Sequence, residues 1–159
     1  MRKVVVNSTP LISLYKINKL NLLKEIYGSI YVPYGVYEEL SIKDKYNFLN
    51  ELDFIKIQKI ENKEARKFFK TSLHKGEVEV MILAEEINAD LCIIDDLLAR
   101  KYAKYLGYTI TGTIGILLKA KEEGYINKVK PLLDDLLNGG IYIDDKLYDR
   151  ILKIANEYK

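Results

Sequence analysis

The sequence predicts an α/β protein built in three layers, α/β/α, around a central, mostly parallel twisted sheet, with a helical extension at the C-terminus. Three observations carry this. Short strand-like runs alternate with segments whose apolar residues recur at helical spacing, the pattern of parallel strands joined by crossover helices. After Thr113 the alternation stops and the chain is largely helical. A length of 159 residues suits one three-layer core and is too short for two, and no repeat, linker or low-complexity stretch cuts it. The chain therefore reads as one domain, with a core over 1–113 and an extension over 114–159.

Residues 3–6 form a β-branched run that ends at Asn7-Ser8-Thr9-Pro10, where Ser8 or Thr9 can cap a helix and Pro10 suits its first turn. Leu11, Ile12, Leu14 and Ile17, then Leu20, Leu22, Leu23 and Ile26, give two helical segments broken near Asn18 and closed by Gly28. A short strand over 29–32 leads through Pro33 into a helix carrying Val36, Tyr37, Glu38, Glu39 and Leu40. Residues 54–58 alternate like a half-buried strand at a sheet edge, and 61–70 turn charged and helical. A loop spans Thr71-Ser72-Leu73-His74-Lys75-Gly76, followed by a helix over 77–87 with Val78, Met81, Ile82 and Ala84 facing inward. The 91–94 strand, a helix over 97–106 and a last strand over 108–110 complete the core. Three more helices follow, over 114–123, 127–137 and 145–157, with Ile141-Tyr142-Ile143 between the last two.

The composition excludes several function classes. No apolar run approaches the ~18 residues of a membrane span, and Met1-Arg2-Lys3-Val4-Val5-Val6 reads as a first strand in place of a signal peptide, so a cytoplasmic protein is expected. Cys92 is the single cysteine, which rules out a disulfide within the chain, and it reads as a packing residue. With 25 Lys and Arg against 23 Asp and Glu, no global field advertises nucleic-acid binding, and any such binding needs a local patch. Lys63, Arg66, Lys67 and Lys70 offer one patch; Arg100, Lys101 and Lys104 offer another, with Arg66/Lys70 and Arg100/Lys104 paired on helix faces. Solvated helix surfaces look the same.

Chemistry concentrates where strands end. Leu91-Cys92-Ile93-Ile94 stops at Asp95-Asp96, and the carboxyl ends of parallel strands are where ligands and catalytic groups gather. An Asp there is also a good cap for the following helix. Asn7 and Thr9, Glu39, Glu77, Asp95 and Asp96, then Thr111 and Thr113 all fall on the same presumed edge. Clustered carboxylates repel, so a fold keeps them together when a cation sits between them, and oxygen ligands suit Mg²⁺ or Mn²⁺. Such a centre hydrolyses phosphodiesters by polarising the phosphate and activating a bound water. His74 stands alone in a polar segment and cannot build a zinc site; Gly112 is a turn residue. Tyr31, Tyr34 and Tyr37 can stack on bases, although packing accounts for most of the 13 tyrosines.

The succession Asn7-Ser8-Thr9-Pro10-Leu11-Ile12, Val32-Pro33-Tyr34-Gly35-Val36-Tyr37-Glu38-Glu39-Leu40, Gly76-Glu77-Val78-Glu79, Ile93-Ile94-Asp95-Asp96 and Thr111-Gly112-Thr113 resembles a PIN domain. It is most similar to short prokaryotic members of unassigned function with a helical C-terminal extension, and the likeness runs through Gly124-Tyr125-Ile126. The resemblance implies a metal-dependent endoribonuclease with RNA as partner. It also implies the toxin of a toxin-antitoxin pair resembling VapC, a homodimer held inactive by a small antitoxin. It makes Glu39, Glu77 and Asp95 the second, third and fourth acids, with Thr9 and either Thr111 or Thr113 as supporting hydroxyls. Glu38 rivals Glu39, and Glu79 rivals Glu77. Asp95 is expected to face the metal, with Asp96 either sharing that role or capping the next helix.

One position departs from the pattern: Asn7 stands where PIN nucleases usually carry Asp. An amide oxygen still ligates a hard cation but brings no charge, so affinity falls and a second metal is lost more easily. A non-catalytic module that binds RNA or a partner protein is therefore the competing reading. Phosphotransfer on an aspartyl group is the remote one, because it wants Asp after the first strand.

Overall fold

Val4, Val5 and Val6 are buried, as are Leu91, Cys92 and Ile93, because the strands they form are covered on both faces and leave no side for a polar residue. The computed structural model describes residues 2–42, 44–69 and 73–159. Five strands, β1 (Val4–Val6), β2 (Ile30–Pro33), β3 (Ile55–Gln58), β4 (Leu91–Ile93) and β5 (Ile110–Thr111), form one sheet in the order β3-β2-β1-β4-β5. Every neighbouring pair is parallel, with Val5 opposite both Tyr31 and Cys92, and Ile93 opposite Thr111. The expected edge strand over 54–58 is the outer strand β3.

The helices are α1 (Ser8–Lys16), α2 (Leu22–Tyr27), α3 (Tyr34–Ser41), α4 (Lys75–Glu86), α5 (Leu97–Tyr105), α6 (Thr113–Glu122), α7 (Lys130–Asn138) and α8 (Asp145–Ile154). Leu132, Leu133, Leu136, Ile151 and Leu152 of the last two helices belong to the same buried cluster as the strands. The chain runs outward from β1 through β2 to β3, then crosses back to β4 and β5. The order reverses between β1 and β4, and the carboxyl ends of those strands flank the crevice in which open α/β sheets bind ligands.

A buried ion pair fixes the helix that enters this edge. Glu79, 2% exposed, accepts a hydrogen bond from the Gly35 backbone N–H at 2.9 Å and one from Arg66 Nη2 at 2.5 Å. Gly35 is required by space: a Cβ there meets the Glu79 carboxyl at 2.6 Å. The carboxylate thereby ties the first turn of α3 to α4 and to the 63–68 segment.

Several elements differ from their predicted extents for identifiable reasons. Asn7, and not Ser8 or Thr9, occupies the cap position of α1, with extended backbone and no side-chain capping bond. The charged helix expected over 61–70 is a 3-10 segment, Lys63–Phe68, none of whose residues is buried; without an apolar face nothing pays for an α-helix there. Lys70, Thr71 and Ser72 lie outside the described residues. The following helix opens two residues early, at Lys75, because the Glu77 carboxylate accepts from the His74 backbone N–H at 2.9 Å and closes the first turn. The last strand lies at Ile110–Thr111, since the Tyr108 N–H still bonds Ala103 at the end of α5. Near the C-terminus, α8 ends at Ile154, Asn156 turns left-handed at φ 62, and Glu157 accepts the N–H groups of Val129 and Lys130. Those are orphan donors at the start of α7, whose second residue is Pro131, so the extension locks its own helices together.

Glu79→Gln keeps an acceptor for Gly35 but leaves Arg66 without its counter-charge. A loss of about 2 kcal/mol is expected, below that of a fully buried pair because Arg66 is partly in solvent. Urea denaturation checks this as a lower midpoint at unchanged slope.

Candidate functional site

Beyond the carboxyl ends of β1 and β4 lies a cleft of about 360 Å³ lined by Asn7, Ser8, Thr9, Glu39, His74, Glu77 and Asp96. Three of these are helix caps: Asn7 for α1, His74 for α4 and Asp96 for α5. The amino-terminal ends of three helices thus meet at one place, each bringing the positive end of its dipole.

Asn7 is held by its backbone, whose N–H donates to the Ile93 carbonyl at 3.0 Å, extending the β1–β4 ladder by one bond. It is 3% exposed, and its Oδ1 has no hydrogen-bond partner among the described residues. A buried amide oxygen without a donor is costly to keep, and it sits on the wall of a cleft that carries three carboxylates. Glu39 reaches the cleft from the exposed side of α3. Glu77 is buried, and burial raises its carboxyl above the ordinary value; the His74 N–H opposes that shift and the neighbouring Asp96 adds to it. Asp96 caps α5 by accepting the Ala99 N–H through Oδ2 at 2.9 Å while lining the cleft.

Each rival pair divides its labour. Glu38 does not line the cleft but pairs with Lys75 at 3.1 Å, leaving Glu39 there. Glu79 is committed to Arg66 and Gly35, leaving Glu77. Asp95 is likewise engaged: Oδ1 accepts the Thr113 N–H at 2.7 Å and Oδ2 accepts the Thr113 hydroxyl at 2.6 Å. Asp95 therefore fastens the start of α6 to the end of β4, and a Cβ on Gly112 meets its Oδ1 at 2.6 Å. The roles expected of the two aspartates are thus distributed otherwise, because Asp96 both caps its helix and borders the cleft. Thr9 borders it as expected. Thr113 is buried against Asp95, and Thr111 lies in β5; neither is on the cleft wall.

Arg100 and Lys104 are not brought to this wall. Arg100 donates to the Ile94 carbonyl at 2.8 Å, and Lys104 is exposed farther along α5. The residues that sequence reasoning missed are Ser8 and His74. The spacing of His74 three residues before Glu77 is the one available signal, since it is that of a reciprocal cap.

A hard, hydrated dication fits this donor set. The cleft offers the carboxylates of Glu39, Glu77 and Asp96 and the Asn7 side-chain oxygen, and none of its described lining residues is Lys or Arg. Among the described residues no three His, Cys, Asp or Glu side chains stand close enough to hold one ion by themselves. The carboxylate and amide oxygens on this wall are the donor type that a hard divalent cation takes alongside retained waters.

In comparison with known proteins, a family profile described as a PIN domain matches residues 3–157. No curated protein matches the chain.

The raised Glu77 carboxyl sets a sign. The folded chain holds this proton more tightly than the unfolded chain, so its contribution is favourable in acid and is lost as pH rises through the folded value. In chelating buffer Glu77→Gln, which keeps an acceptor for His74, is expected to melt above the parent at neutral pH. The gap closes as pH falls to the ordinary carboxylate range, and melting curves across pH check it.

Proposed function

The chain belongs to the PIN-domain family, whose members generally use divalent metal ions and interact with RNA, and we propose that it is a Mg²⁺- or Mn²⁺-dependent endoribonuclease. The observation that supports this reading most directly is the buried Asn7 Oδ1, without a hydrogen-bond partner among the described residues, on the wall of a cleft bearing Glu39, Glu77 and Asp96 and no described Lys or Arg. Asn7 and one or two of these acids would hold the ion, which when bound would supply Lewis-acid polarisation of a phosphate and a water of lowered pKa.

The remaining work falls to the chain. Three helix amino-termini present N–H groups and positive dipole ends to a phosphate entering the cleft. Glu77, fixed by the His74 N–H, holds its carboxylate in one orientation and is the group best placed to accept a proton from an attacking water. Ser8 and Thr9 hydroxyls line the approach. Asp95 is a positioning residue, acting through Thr113 to hold α6 against β4. In the same reading the chain is the toxin of a toxin-antitoxin pair, restrained as a homodimer by a small partner protein. A short open reading frame overlapping its gene is the observation that would support that role.

The second reading, a module that binds RNA or a partner protein without cleaving, is favoured by Asn7 itself and by the lack of three converging acids among the described residues.

With structured RNA and Mn²⁺, cleavage is expected to stop on chelation and to fall at least about tenfold in Glu77→Gln and Asp96→Asn, where Asn still caps α5. Asp95→Asn is expected to lose less. Asn7→Asp should lower the Mn²⁺ concentration needed for half-maximal cleavage. No cleavage by the parent or by Asn7→Asp decides for the binding module.

A further inference from the structure

Next to the acidic cleft is a pocket of opposite character. Glu38 and Glu39 are consecutive on α3, and while Glu39 borders the cleft, Glu38 borders a hollow of about 210 Å³ together with Tyr34, Lys59, Lys63, Arg66 and Lys75. Its cations outnumber its acids. Lys75 is paired with Glu38 and Arg66 with Glu79, but Lys59 and Lys63 have no ion-pair partner among the described residues. Arg66 Nε is buried without a hydrogen-bond partner although Nη2 is bound to Glu79. Lys59 Nζ stands 4.9 Å from the centre of the Tyr34 ring, and that ring is partly exposed and lies 6.2 Å from Tyr37.

We propose that this pocket holds a backbone phosphate of single-stranded RNA, flanking the phosphate that enters the acidic cleft, with Tyr34 as the platform on which an adjoining base stacks. The inference rests on reading the chain as RNA-directed, and not on its cleaving RNA. Two exposed lysines without ion-pair partners among the described residues, beside an arginine already paired, leave the hollow net positive, and base-stacking aromatics within a basic groove are how single strands are held without sequence readout. The volume is below the ~300 Å³ at which pockets begin to bury a whole small ligand, which suits one unit of a polymer. Its position supplies register. Because α3 turns consecutive carboxylates toward the two hollows, a strand gripped at Lys59 and Lys63 is led to Glu39. The buried Arg66–Glu79 pair holds the 63–68 segment, which carries Lys63, to α4.

The test is fluorescence anisotropy of a labelled single-stranded RNA in EDTA, where cleavage plays no part, with full-length protein. Lys59→Ala/Lys63→Ala is expected to bind more weakly, with the slope of log K against log salt reduced by about 0.7 for the phosphate lost. Tyr34→Ala is expected to weaken binding about fivefold or more. Both leave the Arg66–Glu79 pair in place, and their melting temperatures confirm folding. Unchanged affinity and salt slope in the folded double variant overturn the proposal, as does competition by inorganic phosphate as effective as by RNA. If these effects appear while the parent and Asn7→Asp fail to cleave RNA with Mn²⁺, the nuclease reading falls and the phosphate site stands. Cleavage with unaltered binding gives the reverse.

Discussion

The parallel sheet reverses its strand order between β1 and β4, and the chemistry of this molecule follows from that reversal. A parallel strand must hand the chain to a helix beyond its carboxyl end, so β1 and β4 deliver α1 and α5 to the same place; α4 begins beside them. Three helix amino-termini then share one crevice. The positive ends of their dipoles favour negative charge there, which helps a cleft with no lysine or arginine among its described lining residues to carry Glu39, Glu77 and Asp96. The tolerance is incomplete, as the raised carboxyl of Glu77 records.

Acids come in pairs around this crevice, and each pair splits between structure and site. Glu38 pairs with Lys75, Glu79 with Arg66 and Gly35, and Asp95 with Thr113, while Glu39, Glu77 and Asp96 face the cleft. The geometry of the elements enforces the split. Residues one or two apart on a helix point in different directions, and consecutive residues leaving a strand point to opposite sides. The structural partner in each pair anchors the element that presents the other one: Glu79 pins α3 and α4 together, and Asp95 pins β4 to α6.

Much of the fold was legible because hydrophobic period and buried apolar runs are local signals. The run Val4-Val5-Val6 and the alternation of Ile55 and Ile57 with polar neighbours announced a central and an edge strand respectively, and both stand where their pattern requires. The order of acids along the chain was equally visible. Which oxygen faces the cleft was not, since that depends on partners distant in sequence: Arg66 for Glu79, and Thr113 for Asp95. His74 stands alone in the sequence and is exposed in the structure; its place as the cap of α4 on the cleft wall comes from backbone geometry that a single imidazole does not reveal. The 63–68 segment misled for the opposite reason: its charges have helical spacing, but no apolar face stabilises the helix they suggest.

Asn7 is best understood from the same electrostatics. An Asp at this depth would place another carboxylate beside Glu77, which burial and Asp96 already push toward its neutral form, and in the ion-free chain its ionised form would raise the cost of the cleft further. The amide avoids that cost while keeping an oxygen-bearing side chain on the cleft wall, where the proposed cation would sit. The unpartnered Oδ1 remains the residual penalty, and it is removed only when something electropositive approaches. Under the proposed reading, the amide at position 7 would trade cation affinity for a lower cost of the ion-free cleft.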